Sequence, residues 1–133
     1  MEPVFLDTVG LLAVWDRSDQ WHGPAAEAFA AISRQGAPVY SSGFVFLELA
    51  NAAARKPHRA AVDMLRRDLE SRGRLYTPGS KELDAAWKHY ANGPPTGPGV
   101  VDLVSFEAMK ASGIRRAFTN DRHFSAVGFE TLF

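Results

Sequence analysis

The sequence predicts an α/β domain with a mainly parallel central sheet flanked by helices. Two observations predict it. Short apolar runs of strand character alternate with longer Ala- and Leu-rich stretches of helical period along the whole chain. The helical stretches stop at glycines, at Gly36, Gly73 and Gly113, so each element is short and bounded. Strands that alternate with helices pair in parallel, and their helices pack on both faces of the sheet.

Each element has its own local reason. VFLDT (4–8) reads as a short buried first strand. An Ala-rich helix comes next, over about 24–35, with Pro24 at a first-turn position and Gly36 just past its end. PVYSS (38–42) is a second strand, and FVFLELANAAAR (44–55) a strongly apolar helix. Pro57 opens another helix, whose Val62, Leu65 and Leu69 form one stripe before Gly73. RLYTP (74–78) reads as a third strand, and Ser80 as the cap of a helix running to about Ala91. NGPPTGPG (92–99) is the one stretch dense in Pro and Gly. The residues after it are too few to fold alone, so it reads as a loop inside the domain. VDLVSFEAMKAS (101–112) is a further helix, RRAFT (115–119) a strand and FETLF (129–133) a last strand. No internal repeat appears, and residues 1–133 make one domain.

Bulk composition narrows the function classes. Hydrophobic residues make up 46% of the 133 and charged residues 23%, the profile of a folded globule. The absence of cysteine excludes disulfide scaffolds, thiolate metal sites and cysteine nucleophiles. No signal-peptide pattern or membrane-length apolar run is present, so the expected location is the cytoplasm. Fifteen basic and fifteen acidic side chains cancel, which argues against nucleic-acid binding by bulk charge but not against nucleic acid as a substrate.

Four acids stand in apolar company: Asp7 in VFLDTV, Glu48 in FVFLELANA, Asp102 in GVVDLVSF and Asp121 in AFTNDRHF. An ionised carboxylate is costly to bury unless something compensates. Asp7 ends the first strand, Asp121 comes directly after a late strand, Asp102 falls in a first helical turn, and Glu48 lies in the helix after the second strand. In a parallel sheet the carboxyl ends of the strands and the starts of the next helices share one edge, so all four acids can converge there. Converging carboxylates either take up protons or bind a divalent cation. All-oxygen ligands suit Mg²⁺ or Mn²⁺, and such a site suits phosphate-ester hydrolysis by a metal-activated water. Singly, each acid has a structural reading: Asp7 as a loop residue, Asp102 at a helix N-terminus, Glu48 paired with Arg55. Together, at one sheet edge, they read as a site.

The stretches FLDT (5–8), FVFLELANA (44–52), VVDLVSFEAM (100–109) and AFTNDRHF (117–124) resemble the PIN domain, specifically the VapC-like ribonuclease toxins of toxin–antitoxin systems. Asp19 and His22, in DRSDQWH, also match the region after the first strand in these toxins. The resemblance spans nearly the whole chain in the right order. It implies a single PIN-like domain that cleaves RNA with Mg²⁺ or Mn²⁺, leaving a 5′-phosphate and a 3′-hydroxyl. Asp7, Glu48, Asp102 and Asp121 would be the catalytic, metal-holding quartet, with Asp7 and Asp102 the firmest ligands. Thr8, Ser105, Thr119 and Asn120 are candidates to hydrogen-bond the acids from behind. It also implies a homodimer and a cognate antitoxin that covers the active site. Two departures stand out: Gly99 occupies the place three before Asp102 where similar toxins often carry a serine, and His123 stands two after Asp121 where some PIN domains carry a further acid.

Other residues carry weaker signals. Arg55, Lys56 and Arg122 are candidate RNA contacts, set against solvated helix ends and internal ion pairs. A lone His123 reads as a structural residue before a general base. Trp15, Trp21 and Trp87 read as packing before base stacking. A haloacid-dehalogenase-type phosphatase would need a second Asp at position 9, which is Val, and a response-regulator receiver would need a late Lys that is missing. The alternative from another class is an inactive PIN-like module that only sequesters RNA or a partner.

Overall fold

In the computed structural model, all 133 residues are described, and five strands form one parallel sheet in the order β3-β2-β1-β4-β5. The strands are β1 (Val4–Leu6), β2 (Val39–Ser42), β3 (Leu75–Tyr76), β4 (Arg116–Phe118) and β5 (Glu130–Thr131). Seven helices connect and flank them: α1 (Thr8–Trp15), α2 (His22–Gln35), α3 (Gly43–Ala52), α4 (Arg59–Ser71), α5 (Ser80–Asn92), α6 (Val100–Ser112) and α7 (Arg122–Ala126). The sheet is parallel throughout, as the alternating pattern requires. No helix is long and apolar enough to cross a membrane.

β1 is the central strand, and Val4, Phe5 and Leu6 are all fully buried. That explains why it reads as an unbroken apolar run instead of an alternating one. The core spreads from it through Leu11, Val45, Leu49, Leu69, Met109 and Phe118. Phe118 meets Phe29 and Phe133 with ring centroids 5.3 Å apart in each case.

Two helices lie outside the expected set. The first is α1, which begins immediately after β1. Its sequence, TVGLLAVW, is apolar nearly all round, so it carries no amphipathic stripe. The helix forms because tertiary packing covers it, and Gly10 lets it approach β4 closely. A Cβ on Gly10 would stand 2.2 Å from the Phe118 carbonyl oxygen and 2.6 Å from its ring. Gly10→Ala is therefore expected to destabilise the fold by about 3 kcal/mol, because neither backbone nor buried ring has room to yield. Chemical denaturation measures this, and a loss under ~0.5 kcal/mol would show that α1 shifts freely. The second is α7, whose five residues are too few to show a period.

Several boundaries also move. β1 stops at Leu6, leaving Asp7 as the residue that opens α1. The second helix starts at His22, two residues before Pro24. α3 ends at Ala52, so Arg55 lies in the turn beyond it, and α4 begins at Arg59 after Pro57. Ser80 is the first helical residue of α5 instead of its cap, and Glu82 accepts the Gly79 N–H at 3.1 Å. The last strand is two residues long, not five.

Candidate active site

The register of the two central strands places Leu6 beside Phe118. The next residues along, Asp7 and Thr119, are therefore neighbours at the carboxyl edge of the sheet. Both are buried, and the Thr119 hydroxyl donates to Asp7 Oδ2 at 2.8 Å. The same hydroxyl oxygen accepts the Asp121 N–H at 3.1 Å. One threonine thus ties the acid that comes after β1 to the acid that comes after β4. Although Asp7 occupies the N-cap position of α1, its side chain makes no capping bond. Asp7 is turned toward Thr119 instead, which is uncommon for an Asp placed to cap a helix.

Asp121 opens α7, and its Oδ1 accepts the His123 N–H at 2.9 Å. α7 is held by Phe124, fully buried, whose ring meets Phe106 of α6 edge-on at 4.9 Å. This packing brings the first turn of α6, and with it Asp102, against Asp121. Gly99 is the N-cap residue of α6 in extended conformation, and Leu103 donates its N–H to the Gly99 carbonyl at 3.1 Å. The helix therefore starts without a serine cap and still presents Asp102 in its first turn.

Glu48 is exposed on α3, whose start is capped by Ser42 accepting the Val45 N–H at 3.2 Å. The Thr8 hydroxyl donates to Glu48 Oε1 at 2.7 Å, linking α1 to α3 beside Asp7.

Two of these carboxylates are raised above the usual range. Burial pushes the Asp7 carboxyl up to about 6, with repulsion from Asp121 and Glu48 adding to it, against hydrogen bonds from the Thr119 side chain and the Thr8 backbone. Asp102 is pushed up to about 7, first by burial and then by Asp7, Asp121 and Glu48, and it shares a hydrogen bond with Asp121. Asp121 and Glu48 are thus close enough to Asp7 and Asp102 for their charges to add to the cost of ionising those two.

His123 is a member that the sequence reading sets aside. Its Nδ1 lies 3.1 Å from Asp121 Oδ1, and its Nε2 lies 2.9 Å from the Thr96 carbonyl. Two acceptors, one on each nitrogen, suit the doubly protonated ring. Its pKa is raised, first by the Thr96 carbonyl and then by Asp121. Ligand atoms of Asp102, Asp121 and His123 all lie within 4.8 Å of one another. No spacing rule would have found this arrangement, because the contact to Thr96 comes from a Gly/Pro loop.

The remaining candidates fall into two groups. Thr8 and Thr119 hydrogen-bond the acids, as described. Ser105 does not: its hydroxyl donates to the Val101 carbonyl at 3.0 Å, one turn back in its own helix. Asn120 is half-buried between Thr119 and Asp121. Arg122 is exposed next to Asp121, whereas Arg55 and Lys56 lie beyond the far end of α3, away from the acids. Lys56 shares a pocket there with Trp15, Arg17 and His58. Asp19 accepts the Trp21 N–H at 2.8 Å, and His22 Nδ1 meets the Ala13 carbonyl at 2.9 Å, so both hold the α1–α2 turn.

The donor set fits a hard divalent cation. It consists of carboxylate oxygens, and a bound cation would offset the burial cost, and the smaller mutual repulsion, that raise Asp7 and Asp102.

Comparison with known proteins agrees with this geometry. The PIN domain family model matches residues 4–130. The chain is 29% identical over 127 residues, 95% of each protein, to the 23S rRNA-specific endonuclease VapC20 of two Mycobacterium tuberculosis strains, CDC 1551 and H37Rv. The crystal structure of Mycobacterium tuberculosis VapC20, a sarcin–ricin loop cleaving toxin, superposes with a TM-score of 0.77 at 26% identity, covering 95% of both chains. A chain of FitAB bound to IR36 DNA superposes with a TM-score of 0.62 at 16% identity over 96% of this chain and 92% of the other, a likeness of fold. Sheet order, clustered acids and a family match over nearly every residue converge, and the chain belongs to the PIN-domain family.

Proposed function

We propose that this protein is a divalent-cation-dependent endoribonuclease of the VapC-like toxin class. The carrying observation is the meeting of Asp7, Glu48, Asp102 and Asp121 at one sheet edge, with Asp7 and Asp102 both raised by burial and mutual repulsion. Whole-length similarity to an RNA endonuclease supports RNA as the substrate class.

Asp7, Asp102, Asp121 and Glu48 would hold Mg²⁺ or Mn²⁺, which when bound neutralises charge on a phosphoryl oxygen and acidifies an attacking water. The chain supplies the positioning. Thr119 fixes the Asp7 carboxylate and the Asp121 backbone with one hydroxyl. Thr8 fixes one oxygen of Glu48, leaving the other open to solvent. His123 meets the Asp121 carboxylate and, protonated, offsets part of the local negative charge. Arg122, exposed beside Asp121, is placed to meet an RNA phosphate, and Arg55 and Lys56 form a second basic contact farther along the strand. Asn120 adds a polar group at the rim. The toxin assignment brings with it a homodimer and an antitoxin that covers the acids in the resting cell, in the cytoplasm.

The direct test is RNA cleavage. Purified protein, freed of any co-purifying partner, should cut RNA in Mg²⁺ or Mn²⁺ and stop in EDTA, leaving 5′-phosphate and 3′-hydroxyl ends. Folded protein that leaves RNA intact with both metals would refute the assignment and favour a PIN-like module that only binds.

A further inference from the structure

Beside the acidic edge lies an open pocket of about 600 Å³ that the chemistry above does not use. Tyr90 and His89 of α5 form one wall. The Gly/Pro loop from Gly93 to Gly99 forms the rest, with Leu103 at the base. Tyr90 is 52% exposed and Trp87 is 53% exposed, which is unusual for large aromatic rings without a partner. Their rings meet edge-on, with centroids 5.6 Å apart. Trp87 thus braces Tyr90 in place.

The pocket is joined to the acids at two points. Leu103 in the pocket and Asp102 among the acids are consecutive residues in the first turn of α6. They therefore face adjoining sectors, about 100° apart around the helix. His123 also bridges the two, holding Asp121 through one nitrogen and the Thr96 carbonyl of the loop through the other. Moving the loop away from the pocket would break the Thr96 contact to the ring that also meets Asp121.

We propose that this pocket is a nucleobase subsite of the RNA-cleaving centre: the base next to the scissile phosphate stacks on Tyr90 while the phosphate lies at the acids. The inference rests on the nuclease assignment and deepens it. The chemistry favours a base over a protein side chain. An exposed ring offers a face to any base, and proline and glycine leave backbone groups within reach of base edges. The groove between α3 and α4, lined by Phe46, Ala50, Ala54 and Val62, has the more apolar walls of a protein contact.

The test separates binding from cleavage. In the Asp7→Asn background, a fluorescein-labelled single-stranded RNA of mixed sequence is titrated by anisotropy. Tyr90→Ala should weaken binding about tenfold, and Tyr90→Phe should stay within about twofold, as stacking on one ring predicts. An abasic nucleotide walked along the RNA should weaken binding to the Tyr90-containing protein at one position. At that position it should cost Tyr90→Ala nothing further, because both changes remove the same contact. If wild type cleaves RNA while Tyr90→Ala binds as tightly as its parent, the subsite is wrong and the nuclease assignment stands. If Tyr90→Ala instead turns a dimer into a monomer in sedimentation and leaves RNA affinity unchanged, the ring is a protein contact and the proposal is overturned. If wild type neither binds nor cuts RNA, the functional assignment fails and the subsite with it.

Discussion

Asp7→Asn and Asp102→Asn should each lower RNA cleavage at least about 100-fold and should abolish the rise in melting temperature that Mn²⁺ gives the wild type. Asparagine matches aspartate in shape, so the fold is kept. At position 7 its amide oxygen still accepts the Thr119 hydroxyl bond. What disappears is negative charge in the volume shared by four carboxylates. For wild type, Mn²⁺ at 100-fold over its dissociation constant should add ~2.7 kcal/mol to stability by mass action. A wild type indifferent to Mn²⁺ would mean that the acids do not act as one cation site. Full cleavage by either variant would remove that residue from the chemistry.

The metal-free protein should lose stability as pH rises from about 4 to about 7, the reverse of ordinary acid denaturation. Asp7 and Asp102 titrate near 6 and 7 in the folded state, against 3.8 for a free carboxyl. Below 3.8 both are protonated whether the chain is folded or not, and their contribution is fully present. Above it the unfolded chain ionises first and the folded site holds its protons, so stability falls until the folded groups ionise too. Asp7 alone contributes ~3 kcal/mol to this loss. For a chain of this size that corresponds to a fall in melting temperature of roughly 10 °C. Thermal melts in EDTA between pH 4.5 and 7.5 measure the slope. Asp102→Asn should make it shallower, leaving the part due to Asp7, and leave the variant more stable than wild type at pH 7.5. A wild-type melting temperature that is level or rises over this window would show that the two acids ionise freely.

Much of this was legible before the fold was known. Alternation of strands and helices was enough for a parallel sheet, because successive parallel strands need a crossover. The acids were legible because each broke an apolar run. AFTNDRHF placed Asp121 directly after a strand for the same reason. α1 was not legible. TVGLLAVW is covered by protein on most sides, so burial erased the period that marks a surface helix, and its close approach to β4 at Gly10 is visible only in space. Ser105 was a candidate, through the family resemblance, to hydrogen-bond the acids, but its hydroxyl bonds back to Val101, as serine often does inside a helix.

By itself the sequence determined the order of elements, the direction of the sheet and which carboxylates were out of place among apolar neighbours. These come from local pattern and from the period of side chains along each element. Only the tertiary structure decided which groups hold the acids. Thr119 reaches Asp7 because β4 lies beside β1 in register, and Asp102 meets Asp121 because Phe124 seats α7 against Phe106. His123 joins Asp121 to the Gly/Pro loop because that loop folds back over α7. Each of these contacts joins residues distant in the chain, and the packing that brings them together leaves no spacing in the sequence to read.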